Sequence, residues 1–193
     1  MVGLVAKPLG EAIAIGNVVL REVTLSDAAF IVQLRTQPLL SANIHATASS
    51  VLAQEQWLSS YFARERDYYF VGEDREGHAL GTIRIPEVGE DFFEVGSWVF
   101  CPEAPAGAAV QALFGAYWFG FERLGKGVAR FDVRLANSQV WRFHESYGAE
   151  RIRSDGLDAF YLFTRPTYLK AAARFARLLK AHESDEQGET DVD

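Results

Sequence analysis

One segment of the chain has the residue types that suit anion binding. Residues 94–100 form a strand-like run that begins with Glu94, and Gly107, Ala108 and Ala109 follow it at the predicted start of a helix. Small residues at a helix start let main-chain N–H groups approach a phosphate, and the helix dipole favours the negative charge. Such a helix start can bind an anion, although a plain loop glycine is the alternative for Gly107.

A second segment, residues 137–149, suits proton transfer. Asn137 precedes a predicted helix as its N-cap, His144 lies within that helix, and Gly148 follows its end. An unperturbed imidazole has a pKa of about 6.5, so His144 could give or take a proton near neutral pH. Asn137 is expected both to cap its helix and to hydrogen-bond a ligand.

The composition is that of an ordinary globular protein. The chain has 193 residues, of which 49% are hydrophobic and 23% are charged, so one domain with a sizeable core is expected. No apolar run approaches the roughly 20 residues that a membrane span needs, which predicts no membrane partner. Cys101 is the only cysteine, which excludes a disulfide framework and a multi-cysteine zinc site. We expect a cytoplasmic protein without a metal.

Most of the net charge of −7 comes from the C-terminal segment. Residues 182–193 contain six acidic side chains and no Lys or Arg, so the rest of the chain carries −1. A nearly neutral body gives no electrostatic case for a nucleic-acid partner. We predict one domain over residues 1–181, with an extension at 1–17 and a C-terminal helix at 168–181, followed by an acidic disordered tail at 182–193.

Hydrophobic periodicity predicts a mixed order of strands and helices. The predicted strands cover residues 18–23, 68–72, 79–85, 92–100, 130–134, 150–153 and 159–164. The predicted helices cover residues 27–37, 51–66, 108–124, 138–147 and 168–181. Early antiparallel strands and a late strand-helix-strand unit indicate an α+β protein with α/β/α-like layers.

This order resembles the fold of the GNAT (Gcn5-related N-acetyltransferase) superfamily. Residues 94–100 look like the family's E-I-G-Y-W-L strand, and residues 104–109 look like its pyrophosphate loop Q/R-x-x-G-x-G/A, with Ala104 in place of Gln or Arg. Residues 137–149 are similar to N-x-x-A-x-x-L-Y-x-x-x-G-F, with Asn137, Phe143 and Gly148 in register. The resemblance implies a twisted, mostly antiparallel sheet of six to seven strands flanked by helices.

The resemblance also implies the reaction. GNAT enzymes transfer an acyl group from acyl-CoA to an amine by direct attack, without a covalent enzyme intermediate. Glu94 occupies the family's strand acid position and is the candidate general base, or else a strand-edge carboxylate. His144 stands where many members place the Tyr general acid. Tyr147 is the alternative acid, or else a packing residue.

Acetyl-CoA or another short acyl-CoA is the implied cosubstrate. The expected contacts are main-chain groups of Trp98, Val99 and Phe100, the phosphate cradle of Gly107, Ala108 and Ala109, and the side chains of Asn137 and His144. The implied acceptor pocket contains His45, Trp57, Arg84 and Ser97. Arg84 is favoured for an anionic substrate group because a guanidinium can clamp a phosphate, although a solvated strand arginine is the alternative.

Residues 140–149 also resemble a narrower group of GNAT enzymes, which acylate the amino group of nucleotide-linked deoxyaminosugars. A protein N-terminal amine or a polyamine is the alternative acceptor. A second alternative is a degenerate CoA-binding regulatory module, which Ala104 and the missing Tyr favour. Homodimers are common in this family, so a second copy of the chain is one possible partner.

Overall fold

The computed structural model describes residues 12–41, 44 and 50–180. Its strands are β1 (Ile13–Ile15), β2 (Val18–Glu22), β3 (Tyr68–Glu73), β4 (Ala79–Ile85), β5 (Phe92–Glu94), β6 (Gly96–Phe100), β7 (Val128–Arg134), β8 (Glu150–Ser154) and β9 (Asp158–Thr164). Its helices are α1 (Ala28–Thr36), α2 (Pro38–Ser41), α3 (Val51–Tyr61), α4 (Ala108–Trp118), α5 (Ser138–Ser146), α6 (Arg165–Arg174) and α7 (Ala176–Leu179). A 3-10 turn over Leu25–Asp27 precedes α1, and a π-helical turn over Phe119–Arg123 extends α4.

The strands form two sheets that diverge at Val95. The first sheet has the order β1, β2, β3, β4, β6, and the second has the order β5, β7, β9, β8. Pairing is antiparallel throughout except between β5 and β7, which run parallel. The run of residues 92–100 therefore begins in the second sheet and ends in the first. The N–H of Val95 still donates to the carbonyl of Arg130 on β7 (2.8 Å), and beyond this bond β6 and β7 separate.

Helices cover both faces of the first sheet. On one face, α4 lies so close that a Cβ added to Gly115 would come within 2.8 Å of a Leu20 methyl group. On the other face, α1 and α3 supply Ile31 and Leu58, which pack with Tyr69 in a smaller apolar cluster. Because the larger core joins α4 to both sheets, the two sheets are held at a fixed angle.

The layered α+β architecture agrees with the sequence-based prediction. The described residues contain nine strands rather than six to seven, because β1 lies in the segment expected to be an extension and Val95 divides one long strand. The helix expected over residues 168–181 is two helices, α6 and α7, separated at Phe175. The first of them begins at Arg165, earlier than expected, where the Thr164 side chain accepts a hydrogen bond from the N–H of Thr167. The acidic segment 182–193 lies outside the described residues. None of the described helices is both long and apolar enough to cross a membrane.

Candidate active site

A bulge in β6 marks the place where the sheets separate. Thr82 of β4 lies opposite Val99, but Arg84 lies opposite Gly96, so β6 contains one extra residue over this stretch. Ser97, inside the bulge, has φ 47°, which is a left-handed conformation that non-glycine residues rarely adopt. An extra residue in a bulge is not paired in the ladder, so its main-chain groups can serve a ligand.

The bulge borders a cleft between the two sheets. One wall is residues 95–98, the other is residues 131–134 of β7, and α4 and α5 contribute Leu113, Val140 and His144. Gly96 lines this cleft, and a Cβ added to it would meet no other heavy atom within 4 Å. The cleft therefore reaches the main chain of β6 directly.

His144 is buried at the base of this cleft. Its side chain lies against the rings of Trp98 and Phe131, with ring centroids 5.6 Å and 4.4 Å away, and the residue is 3% exposed. Burial lowers the pKa of His144 to about 3, because the charged imidazolium loses its hydration. The expectation of an ordinary pKa near 6.5 was therefore wrong, and the imidazole is neutral at physiological pH.

A chain of buried hydroxyl groups holds the imidazole. Nδ1 of His144 hydrogen-bonds the Tyr147 hydroxyl, which lies 3.1 Å from the Tyr117 hydroxyl. Tyr147 is the only hydrogen-bond partner of the Tyr117 hydroxyl among the described residues. Every hydroxyl proton finds an acceptor only if Tyr117 donates to Tyr147 and Tyr147 donates to Nδ1. We therefore assign the ring proton to Nε2, the nitrogen that remains for a group in the cleft.

Tyr147 thus acts on His144 rather than on the cleft. It is 5% exposed and does not line the cleft, and burial raises the pKa of its phenol well above the usual value. The phenol therefore stays protonated as a hydrogen-bond donor. Tyr147 is also a packing residue, as one of the two alternatives from the sequence had it, because its ring lies in the larger core.

Asn137 lines the cleft but does not cap its helix. Its side chain makes no capping hydrogen bond to α5, so that part of the prediction was wrong. The backbone of Asn137 instead closes a turn, because its N–H donates to the carbonyl of Arg134 (2.9 Å). The amide side chain therefore belongs to the cleft wall.

The start of α4 has the backbone expected of a phosphate cradle. Gly107 is its N-cap with φ 89°, a conformation that favours glycine. The N–H of Ala108 donates to the carbonyl of Pro105 (3.0 Å), and the helical bonds begin with the N–H of Gln111, which donates to the carbonyl of Gly107 (2.9 Å), so the N–H groups of Ala109 and Val110 have no acceptor within the helix. The indole of Trp98 donates to the carbonyl of Ala109 (2.8 Å), which joins the cleft wall to this cradle.

Glu94 lies on β5, next to the cleft rather than in its lining. The carboxylate is half-buried, opposite Arg130 in the register with β7. Burial raises the pKa of Glu94, and the nearby carboxylates of Glu87 and Asp132 raise it further, while Arg130 opposes them. Asp132, one of these carboxylates, does line the cleft. Glu94 therefore interacts electrostatically with an acidic residue of the cleft wall.

A model of the GNAT acetyltransferase domain matches residues 17–150, which is more than half of the chain. The chain belongs to the GNAT acetyltransferase family. This confirms the family that the sequence motifs indicated, and GNAT enzymes use acyl-CoA as the acyl donor. The cleft between the sheets and the small residues at the start of α4 are compatible with such a cosubstrate.

Solved structures agree with this assignment. The chain is similar to the apo form of FdhC, described as a nucleotide-linked sugar GNAT, with 29% identity, a TM-score of 0.82, and coverage of 89% of this chain and 100% of that one. It has the same fold as a spermidine N-acetyltransferase from Vibrio cholerae in complex with CoA and spermine, with 18% identity, a TM-score of 0.69, and coverage of 79% and 98%. The GNAT fold is thus confirmed. No match is found among the curated proteins.

The residues predicted for the acceptor pocket of this GNAT domain are only partly brought together. Ser97 lines the cleft, whereas Trp57 and Arg84 do not. The Arg84 guanidinium is paired with Asp67 through Nε and Oδ1 (2.8 Å) and through a second contact, and it lies 4.8 Å from the Trp57 ring centroid. This ion pair joins β4 to the residue that precedes β3. His45 lies outside the described residues.

Three charged residues of the cleft were missed from the sequence: Arg35, Asp132 and Arg134. The strand pattern of β7 could have shown two of them, because Phe131 and Val133 alternate with polar residues. Arg35 lies in the last turn of α1, and no local pattern connects that helix to β7.

Proposed function

We propose that this GNAT protein transfers an acetyl or other short acyl group from acyl-CoA to the amino group of a nucleotide-linked deoxyaminosugar. The observation that carries the proposal is the likeness to a nucleotide-linked sugar GNAT, which extends over the whole of that chain at 29% identity. The likeness to spermidine acetyltransferases, at 18% identity, supports only the fold.

The charge of the cleft favours an anionic acceptor over a polyamine. Among the described lining residues, Arg35 and Arg134 are basic and Asp132 is acidic. Arg134 forms an ion pair with Asp158 (3.5 Å). The guanidinium groups of Arg35 and Arg134 can bind the phosphates of a nucleotide diphosphate, whereas spermidine, a polycation, has no group that complements them.

The reaction needs a neutral amine, a stabilised oxyanion and a leaving thiolate. Acyl-CoA supplies the thioester carbonyl. The amine nitrogen forms a bond to the carbonyl carbon, the C–S bond breaks, and the proton released by the amine balances the charge of the thiolate. In this proposal, main-chain N–H groups of residues 97–98 in the bulge polarise the carbonyl oxygen.

His144 and Glu94 have different roles in proton transfer in this proposal. The Nε2–H of neutral His144 donates a hydrogen bond to the departing sulfur, which stabilises the developing thiolate. Glu94, directly or through a water beside Asp132, accepts the amine proton. The raised pKa of Glu94 suits this role, because a stronger base takes up a proton more readily.

Measuring thiol release from acetyl-CoA tests the proposal. The panel contains nucleotide-linked sugars with the amino group at different ring carbons, spermidine, spermine, and peptides with a free N-terminus. We expect turnover with at least one nucleotide-linked aminosugar. We also expect His144→Phe to lower its kcat about 100-fold with little change in the Kd of acetyl-CoA.

His78→Gln is the matched control, because His78 is exposed on the hairpin between β3 and β4 and should keep full activity. Turnover of spermidine or a peptide without turnover of any nucleotide-linked sugar would replace the proposed acceptor. Acetyl-CoA binding without turnover of any amine would favour the regulatory module.

A further inference from the structure

The left-handed residue in the β6 bulge is held by a buried threonine. Thr82 is 0% exposed, and its Oγ1 donates to the carbonyl of Ser97 (3.1 Å) across the irregular part of the ladder. Thr82 itself does not line the cleft. Its hydroxyl therefore contacts the bulge from the side of the sheet that a ligand does not reach.

We propose that Thr82 is a positioning residue that keeps Ser97 in its left-handed conformation and thereby aims the main chain of the bulge at the thioester carbonyl. This proposal rests on one part of the proposed function, which is that acyl-CoA occupies the cleft. It does not depend on the identity of the acceptor.

The geometry explains why such a residue is needed. At φ 47° a serine has a higher conformational energy than in the extended conformation. An isolated bulge would therefore relax toward the extended conformation. The ladder does not prevent this, because the register between β4 and β6 changes between Thr82 and Arg84. A hydrogen bond from a buried hydroxyl fixes the Ser97 carbonyl and so opposes the relaxation.

The consequence concerns the acyl group rather than CoA as a whole. A peptide unit whose carbonyl is fixed on one side has its N–H fixed on the other, because the unit is planar. A donor that is oriented before the substrate arrives stabilises the developing oxyanion without further ordering. Loss of the Thr82 hydroxyl should therefore affect recognition of the thioester carbonyl more than recognition of the phosphates.

The test compares Thr82→Val, which keeps the shape but removes the hydroxyl, with Thr82→Ser, which keeps the hydroxyl. The Kd values of acetyl-CoA and of free CoA are measured by calorimetry, together with kcat if an acceptor is found. We expect Thr82→Val to weaken acetyl-CoA relative to CoA about tenfold and Thr82→Ser to stay within about twofold of the unaltered protein. A purely structural role would lower both affinities equally.

A second comparison uses glycine at the strained position. Ser97→Gly removes the conformational penalty, so Thr82→Val made in that background should cost less than about threefold. The same loss in both backgrounds, or no change in the affinity ratio with Thr82→Val, would overturn the proposal. If Thr82→Val does not fold, an affinity ratio for Thr82→Ser that departs tenfold from the unaltered protein overturns it. Failure of every acceptor in the panel leaves these binding results intact, so the two proposals fail separately.

Discussion

At the scale of single residues, the neutral state of His144 determines how this side chain can take part in the reaction. An imidazole with a pKa of about 3 is not an acid reservoir near neutrality, so its contribution is a fixed N–H rather than an exchangeable charge. The two tyrosines behind it keep that N–H directed to the cleft. We therefore propose that the acid-base role belongs to Glu94, whose carboxylate has a raised pKa.

The pH dependence of turnover should therefore come from Glu94. Its pKa is raised above 4.5, and the base must be ionised, so kcat/KM should rise with pH through the raised pKa. His144 should add no inflection near pH 6.5. Glu87→Gln removes a neighbouring negative charge, which lowers the pKa of Glu94, so the acid limb should move to lower pH.

The measurement is kcat/KM across pH for the unaltered protein and the variants. Glu90→Gln is the control, because Glu90 is an exposed carboxylate in the same loop that is not among the groups that shift Glu94. Glu94→Gln should abolish the limb and lower the rate. An identical limb in Glu87→Gln, or full activity in Glu94→Gln, would remove Glu94 from the mechanism.

Sequence reasoning located single residues better than it assigned their partners. Asn137 and His144 lie in the cleft, because one precedes and the other belongs to one short helix, α5, whose spacing the sequence shows directly. The pairing of Arg84 with Asp67 was not visible, because it joins side chains 17 positions apart on different elements. The lowered pKa of His144 was missed for the same reason, since burial depends on rings from β6 and β7.

At the scale of elements, the decisive feature is one strand shared by two sheets. Residues 92–100 have continuous strand character, and strand propensity does not specify which neighbour each half will pair with. The division at Val95 follows from pairing with β7 on one side and β4 on the other. The sequence thus predicts the strand, and only tertiary pairing opens the cleft.

A substitution at Gly96 tests whether this opening is where ligands lie. A Cβ at Gly96 meets no atom of the described residues within 4 Å, so Gly96→Ala should leave the free energy of unfolding within about 1 kcal/mol or raise it slightly. The added methyl group would extend into the cleft beside the bulge. We expect the Kd of acetyl-CoA to rise about tenfold, which costs about 1.4 kcal/mol of binding.

Gly156→Ala is the matched control, because its added Cβ also meets no atom and the residue lies outside the cleft lining. Urea unfolding should show similar stability for both variants, and calorimetry should show weakened acetyl-CoA only for Gly96→Ala. Equal acetyl-CoA affinity in both would place the acyl-CoA away from β6.

At the scale of the whole molecule, the order and type of most elements followed from the sequence. Each of the five segments with helical periodicity contains a helix in the structure, because its apolar face packs on a sheet or in the core. It did not show β1, a strand of three residues that exists through its pairing with β2. Nor did it show that α7 packs against the start of α4, a long-range contact without a local signal.

That return joins three distant parts of the chain around Gln111. Its side chain donates to the carbonyl of Leu178 (2.8 Å) and accepts from the N–H of Asn17 (3.2 Å). The N–H of Gly16 donates to the carbonyl of Leu179 (3.1 Å). Because Gln111 lies in the first turn of α4, these bonds hold α7 against the segment proposed as the phosphate cradle.

A comparison of alanine variants at Gly107 and Gly77 distinguishes the effect of the contact with α7 from the effect of backbone strain. Both have left-handed backbones, with φ 89° and 88°, so alanine at either position should cost about 1–2 kcal/mol through strain. A Cβ at Gly77 meets nothing, whereas a Cβ at Gly107 would lie 2.5 Å from a Leu178 methyl group. Urea unfolding should therefore show Gly107→Ala to be less stable than Gly77→Ala by about 1–3 kcal/mol.

The acetyl-CoA affinity should distinguish the two variants further, because only Gly107 begins the phosphate cradle. Adding Leu178→Ala to Gly107→Ala makes room for the new methyl group and should recover part of the lost stability, but not the strain shared with Gly77→Ala. Equal stability losses for the two single variants would mean that α7 does not press on the cradle.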